Sequence, residues 1–239
     1  MIRITVGAIR ADSNFLNGVI MDILKVMEER HSVRQYKDIP IEREKRAVLD
    51  SLAKELSDKS GLNIKIVYDD PNGFDSKLAH YGKFKNVNNY IALFGKKGMD
   101  EAAGFYGEEM VLKAQEIGLN TCWVYLTFNK KAVKCLAEDG ETLYCVISLG
   151  YGENQGVPHK NKPTERLIDV KGEPSQSFYD GVKAAMLAPT ATNQQKFKIR
   201  FADGQTEIIK NGIGFCINID LGIVKYHFEK ASGIKVYGK

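Results

Sequence analysis

A chain of 239 residues, 44% hydrophobic and 27% charged, can bury a sizeable core as one large domain or two small ones. Its 34 basic and 30 acidic residues leave a net charge of +4, a mild excess that suits a small anionic ligand; a nucleic acid would call for a basic stripe, so none is expected as partner. No run is long enough for a membrane span, and Asp12, Asn14 and Asn17 break any signal-peptide pattern, so the expected setting is the cytoplasm.

Residues 1–20 have no clear period and read as an arm, either authentic or the product of an upstream start codon, with Met21 opening the first helix. In that helix Ile20, Ile23, Leu24 and Met27 fall at i, i+3, i+4 and i+7 and turn one stripe to a core. Its exit delivers Arg30-His31-Ser32-Val33-Arg34. Guanidinium forks fit phosphate oxygens and a serine hydroxyl reaches a further one, so this set has the chemistry of an anion cradle. On these residues alone a solvated basic turn is the better reading.

Beyond Pro40, where a helix can begin, Leu49, Leu52, Ala53 and Leu56 repeat at helical spacing up to Gly61. Leu62, Ile64, Ile66 and Tyr68 then alternate as a strand closed by Asp70-Pro71-Asn72-Gly73, and Tyr90–Phe94 is a short apolar strand. Asp100 to Gly118 is a long helix through Ala103, Tyr106, Met110, Ala114 and Ile117. A strand Thr121–Leu126, a short helix from Asn129 and a strand Leu143–Leu149 follow. Residues 150–175 form a long polar connection of the kind that is functional or a linker. Phe178–Leu187 is a helix stopped by Ala188-Pro189, Phe197–Phe201 and Thr206–Lys210 are strands around an Asp203-Gly204 turn, and a helix through Ile223, Val224, His227 and Phe228 ends at Gly233 before a last strand, Ile234–Tyr237. The order helix, strand, strand, long helix, strand thus occurs twice, as if one chain imitated a two-fold pair, and the mixture predicts a layered α+β sheet domain.

Two features remain. Cys122, Cys135, Cys145 and Cys216 have neither CxxC spacing nor a partnering histidine, so no metal site is expected and buried free thiols are the default. Ala188 to Gln195 places Asn193 and Gln195 after a helix-ending proline, and their amides both donate and accept, as the edge of a planar heterocycle requires. The same segment also fits a polar helix end running into a strand.

Together these stretches resemble the FMN-dependent nitroreductase family. Arg30 to Arg34 is similar to the family's phosphate-binding opening and Ala188 to Gln195 to its Pro-Ser-x-x-Asn-x-Gln flavin loop. Gly118-Leu119-Asn120-Thr121-Cys122-Trp123 is similar to its Gly-Leu-Gly-Thr-x-Trp segment, and Ser148-Leu149-Gly150-Tyr151-Gly152 with Lys160-Asn161-Lys162-Pro163 to its Leu-Gly-Tyr-Pro loop and trailing basic pair. The resemblance runs from about Met21 onward. It implies a layered α/β/α nitroreductase-like sheet, FMN as cofactor and NAD(P)H as co-substrate. The Asn loop, however, lies in the second half of the chain, where Ser57 to Leu62 takes its usual place. A fused pseudo-dimer is therefore implied, with a first half at 21–165, a shortened second half at 176–239, and one complete flavin site shared between them.

Carried over, Arg30 and Ser32 would hold the FMN phosphate, with Lys160 or Lys162 as counter-charge, and Arg34 would lie at the pyrimidine edge. Pro189, Thr190 and Asn193 would meet the ring, backbone N–H groups at Tyr125 or Leu126 would face its N5 edge, and His31, Ala191 and Gln195 belong to the same motifs. Tyr125 and Leu126 replace the family's glycines and would reshape the substrate side. For Trp123 a core role is favoured, and His80, His159 and His227 read as structural or surface residues. The implied activity is hydride transfer from nicotinamide to flavin and on to a nitroaromatic, quinone or similar small-molecule acceptor, by a ping-pong cycle in a monomer or homodimer. The alternative is a non-catalytic flavin-binding or sensing protein.

Overall fold

The computed structural model describes residues 23–238, so the expectations for the arm, for Ile20 and for Met21 fall outside it. Helix α1 (Ile23–Glu29) buries Val26 and Met27, and α2 (Arg43–Ser60) buries Leu49, Ala53 and Leu56. Helix α2 closes at Gly61, whose φ of 75° is left-handed and whose N–H donates to Ser57 O.

Strands β1 (Asn63–Val67), β2 (Asn89–Gly95), β3 (Asn120–Val124) and β4 (Thr142–Gly150) form an antiparallel sheet in the order β1-β2-β4-β3. Every residue of β2 is buried, as a central strand covered on both faces requires. Ile91, Leu93, Ile147 and Leu149 face the core built with α2 and the long helix α4 (Asp100–Glu116); Tyr90, Ala92, Phe94 and Val146 face a second cluster with Phe74, Phe84 and Val133. Two short helices, α3 (Lys77–Tyr81) and α5 (Lys130–Lys134), belong to that second side, and α3 lies in a stretch for which no element is predicted. The predicted strand Thr121–Leu126 stops at Val124, leaving Tyr125 and Leu126 in the bend beyond it.

The connection at 150–175 is not structureless. It carries β5 (Ile168–Val170), which pairs parallel with β6 (Phe197–Ala202); β6 turns through Asp203-Gly204 into antiparallel β7 (Gln205–Lys210). Helices α6 (Gln176–Ala185) and α7 (Ile217–Ser232) complete the second half, and one apolar core runs through both halves. The predicted strand Ile234–Tyr237 does not form. The N–H groups of Val236 and Tyr237 donate instead to Glu229 Oε1 at 2.7 and 2.6 Å, and Tyr237 stacks on Phe105 with ring centres 4.2 Å apart. A buried carboxylate thus takes the place of a strand partner.

Helices α4 and α7 cross through glycines. A Cβ on Gly104 would lie 2.0 Å from Ile219 O, and one on Gly222 would lie 2.0 Å from Glu101 O. Each helix thus presses its backbone into a gap left by the other.

Candidate functional site

The basic segment is extended rather than a solvated turn. Ser32 bridges to Thr121 in parallel register, Val33 N–H donates to Thr121 O at 3.0 Å, and Lys85 N–H donates to Arg34 O. Val33 and Tyr36 point inward, and the Tyr36 hydroxyl donates to Val33 O at 2.7 Å with Ser148 Oγ also at 2.7 Å. Ser32 and Arg34 flank the buried Val33, and both line one cleft.

All four resembling patches meet. The first joins the third through Ser32 and Thr121. Asn120 of the third accepts from Gly152 N–H of the fourth at 2.9 Å and donates to Gln155 Oε1 at 2.9 Å. The fourth meets the second where Asn193 Nδ2 and Gln195 Nε2 both donate to Lys160 O at 2.8 Å, while Lys162 N–H donates to Gln195 Oε1 at 2.9 Å. The circuit closes at a cleft of about 260 Å³, at the small end for ligand pockets, which Ser32 and Arg34 line together with Pro189, Thr190 and Ala191. Segments from opposite ends of the chain therefore share one cleft, with Tyr125 and Leu126 also on its wall.

Other expected site residues lie elsewhere. Asn193 and Gln195 do not line the cleft; their amides are spent on holding the Lys160–Lys162 segment, and Gln195 also donates to Asn193 Oδ1 at 2.6 Å. The Lys162 ammonium donates to Gln194 O at 2.6 Å and Gln195 O at 3.2 Å, so it fixes this loop rather than standing free as a counter-charge. Lys160 contributes its carbonyl to the loop and leaves its side chain exposed. His31 is partly buried, off the cleft lining, and burial and the adjacent Arg30 charge lower its pKa.

Arg30 is only 3% exposed and does not line the cleft. Its Nε lies 3.9 Å from Glu108 Oε1, an ionic contact too long for a hydrogen bond, and Nε is a buried donor with no acceptor among the described residues. Burial lowers its pKa, and the Glu108 carboxylate opposes that shift. A buried donor without an acceptor is costly, and the unpaired Nε is the observation that fits an acceptor supplied from outside the chain.

Residues with no signal in the sequence motifs complete the site. Glu108 on α4 and His227 on α7 are both 0% exposed. Trp123 Nε1 donates to Glu108 Oε2 at 2.8 Å, and His227 Nε2 lies 2.8 Å from Glu108 Oε1. His227 Nδ1 faces Ala184 O at 3.1 Å and must donate there, so one proton bridges Nε2 and Oε1. A Cβ on Gly107 would lie 2.5 Å from the Trp123 ring, so glycine there leaves room for the indole, which lines the cleft on its other side. A carboxylate on the same helix face as Gly104 and Val111 is the signal that could have drawn attention to Glu108.

Asp220 in the first turn of α7 accepts from Ala191 N–H at 2.9 Å and Gln194 Nε2 at 2.7 Å, which ties the Ala191–Asn193 turn to that helix. Burial raises its pKa to about 6, against the lowering effect of those two donors. Cys122, Cys145 and Cys216 also line the cleft. Burial pushes the Cys216 thiol up to about 12 and the other two upward as well, so none supplies a thiolate nucleophile near neutral pH. All four cysteines are free, and Cys135 is exposed rather than buried. No cluster of metal-ligating side chains and no membrane-length apolar helix occurs among the described residues.

A mixed helix-and-sheet fold whose cleft draws a basic segment and a proline-threonine turn from distant parts of one chain defines a nitroreductase-like protein. The chain belongs to the family described as "Putative TM nitroreductase", whose model matches residues 22–232. A "putative nitroreductase" crystal structure from Thermotoga maritima is similar at 20% identity and a TM-score of 0.64, covering 96% of this chain and 94% of that one. Another, a "putative nitroreductase in complex with FMN" from Desulfovibrio desulfuricans, is 16% identical with a TM-score of 0.52, covering 65% of this chain and 100% of that one. These likenesses show the fold. No curated protein matches the sequence.

Proposed function

We propose that this chain is an FMN-dependent NAD(P)H oxidoreductase that reduces a small electron-accepting aromatic or quinone. The observation that carries the reading is the shared cleft, together with the Arg30 Nε donor: Glu108 at 3.9 Å is too far to accept its hydrogen bond, and a flavin phosphate would supply an acceptor. When bound, FMN would take up hydride from nicotinamide and pass it to the acceptor.

The chain's own residues would hold and tune that group. Arg30 and the Ser32 hydroxyl would bind the phosphate, with the exposed Lys160 side chain as the available counter-charge. Arg34, which has no ionic partner among the described residues, would stabilise negative charge on a reduced ring and so raise its potential. Pro189, Thr190 and Ala191 would wall the ring from the second half. Asn193, Gln195 and Lys162 would act one step back by fixing the loops. The reciprocal glycine crossing of α4 and α7 supports the reading of residues 21–165 and 176–239 as two halves of a pseudo-dimer, in which α7 answers α4. One FMN per chain follows.

Anaerobic addition of NADH or NADPH to the FMN-loaded protein tests the activity. Bleaching of the flavin band, reversed by para-nitrobenzoate or benzoquinone, is expected. A loaded protein that neither nicotinamide bleaches would be the non-catalytic flavin binder instead.

A further inference from the structure

The mouth of the cleft carries large apolar side chains in water. Tyr125 is 42% exposed, Leu126 53% and Phe215 46%, and they come from two segments far apart in sequence. The Tyr125 and Phe215 rings stand 6.3 Å apart at 38°, forming one tilted wall rather than two isolated rings. Phe215 is not on a free loop, because Gln194 Nε2 donates to its carbonyl at 2.9 Å and the same nitrogen donates to Asp220. An ordered apolar patch on a cleft rim marks a binding surface.

Charge at this rim favours one ligand type. Lys130 Nζ lies 5.5 Å from the Tyr125 ring centre and has no acidic partner among the described residues, while Arg34 is the cation lower in the cleft. The two nearby acids are compensated: Asp220 by two N–H donors, Asp100 by its place in the first turn of α4, where free backbone N–H groups offset its charge. We propose that Tyr125, Phe215 and Lys130 form the acceptor subsite, and that it takes a planar aromatic compound bearing an anionic group such as a carboxylate. The aromatic wall supplies stacking area and the ammonium reads the anion. This rests on the flavin reading of the same cleft.

The test uses the full chain and reads FMN binding first, by quenching of Trp123 fluorescence. Benzoate and benzyl alcohol are then titrated into the loaded protein and followed by the flavin visible spectrum, which needs no turnover. Benzoate is expected to bind tighter. Lys130→Gln, an exposed position, should weaken benzoate about two- to fivefold and leave benzyl alcohol unchanged. Phe215→Ala should weaken both about three- to tenfold. The kcat/KM values for para-nitrobenzoate and para-nitrobenzyl alcohol should follow the same pattern. Absence of FMN binding overturns the flavin reading and the subsite together. FMN binding with benzoate no tighter than benzyl alcohol, or with Lys130→Gln affecting both alike, overturns the subsite alone.

Discussion

Replacing Arg30 by methionine separates a residue kept for ligand binding from one kept for stability. Arg30 is 3% exposed, its Nε has no hydrogen-bond acceptor among the described residues, and its ionic neighbour is 3.9 Å away. Its Nε bears a desolvation cost with no bond to offset it, and removing one partner of a buried ion pair costs about 3–5 kcal/mol when the other charge is left uncompensated. Glu108 keeps its Trp123 and His227 partners, so the flavin-free Arg30→Met protein should lose well under that amount. FMN binding is where the loss should appear. Losing a charge-assisted hydrogen bond of about 1.5–3 kcal/mol corresponds to a weakening of roughly ten- to a hundredfold. Urea denaturation of the flavin-free protein and an FMN titration read the two effects separately. A variant that loses more than about 2 kcal/mol of stability while binding FMN normally would show Arg30 to be a structural ion held by Glu108 and not a phosphate ligand.

Other substitutions test the surroundings. Glu108→Ala leaves the Trp123 and His227 donors and the Arg30 cation without a buried acceptor and should cost about 3–5 kcal/mol in urea denaturation, far more than an exposed control such as Glu138→Ala. Gly104→Ala places a methyl 2.0 Å from the Ile219 carbonyl and should lower stability by at least ~3 kcal/mol or prevent folding, whereas alanine at Gly140, with open space around it, meets only the strain of its positive φ; similar losses at both would contradict the tight crossing of α4 and α7. Because burial raises the Asp220 pKa above its unfolded value to about 6, the folded state binds that proton more tightly, so its contribution is favourable at pH 4 and is lost as pH rises through about 6, by roughly 3 kcal/mol at most. The stability of Asp220→Asn relative to wild type should accordingly increase between pH 4.5 and 7.5, as followed by denaturation midpoints at each pH; a flat difference would remove the carboxyl from this account.

Much of the fold was legible because its elements carry strong local signals. Leu49, Leu52, Ala53 and Leu56 spaced a helix that Gly61 ended, and Asp203-Gly204 turned one strand into the next. The terminal strand failed because apolar alternation from Ile234 to Tyr237 does not reveal that Glu229, on the preceding helix, takes their N–H groups. Strand β5 was hidden since Ile168–Val170 is too short for a period and exists through its pairing with β6. In the site, motifs brought Ser32, Arg34 and Pro189 to Ala191 to one cleft. Which amides face the ligand and which hold loops was not legible, since Asn193 and Gln195 offer the same donors for either task and only their distance to Lys160 O decides. Glu108, His227 and Phe215 carry no motif; their positions follow from helix crossings and loop contacts between distant segments.

The proposed function requires that one chain, using both of its halves, build one flavin site. Titrating the full chain with FMN while following its single tryptophan, Trp123, on the wall of the cleft, tests this most directly. Saturable quenching with one FMN per chain, weakened by Arg30→Met in the first half and by Thr190→Val in the second, is the predicted result. No quenching, two FMN per chain, or full affinity in either variant would contradict it.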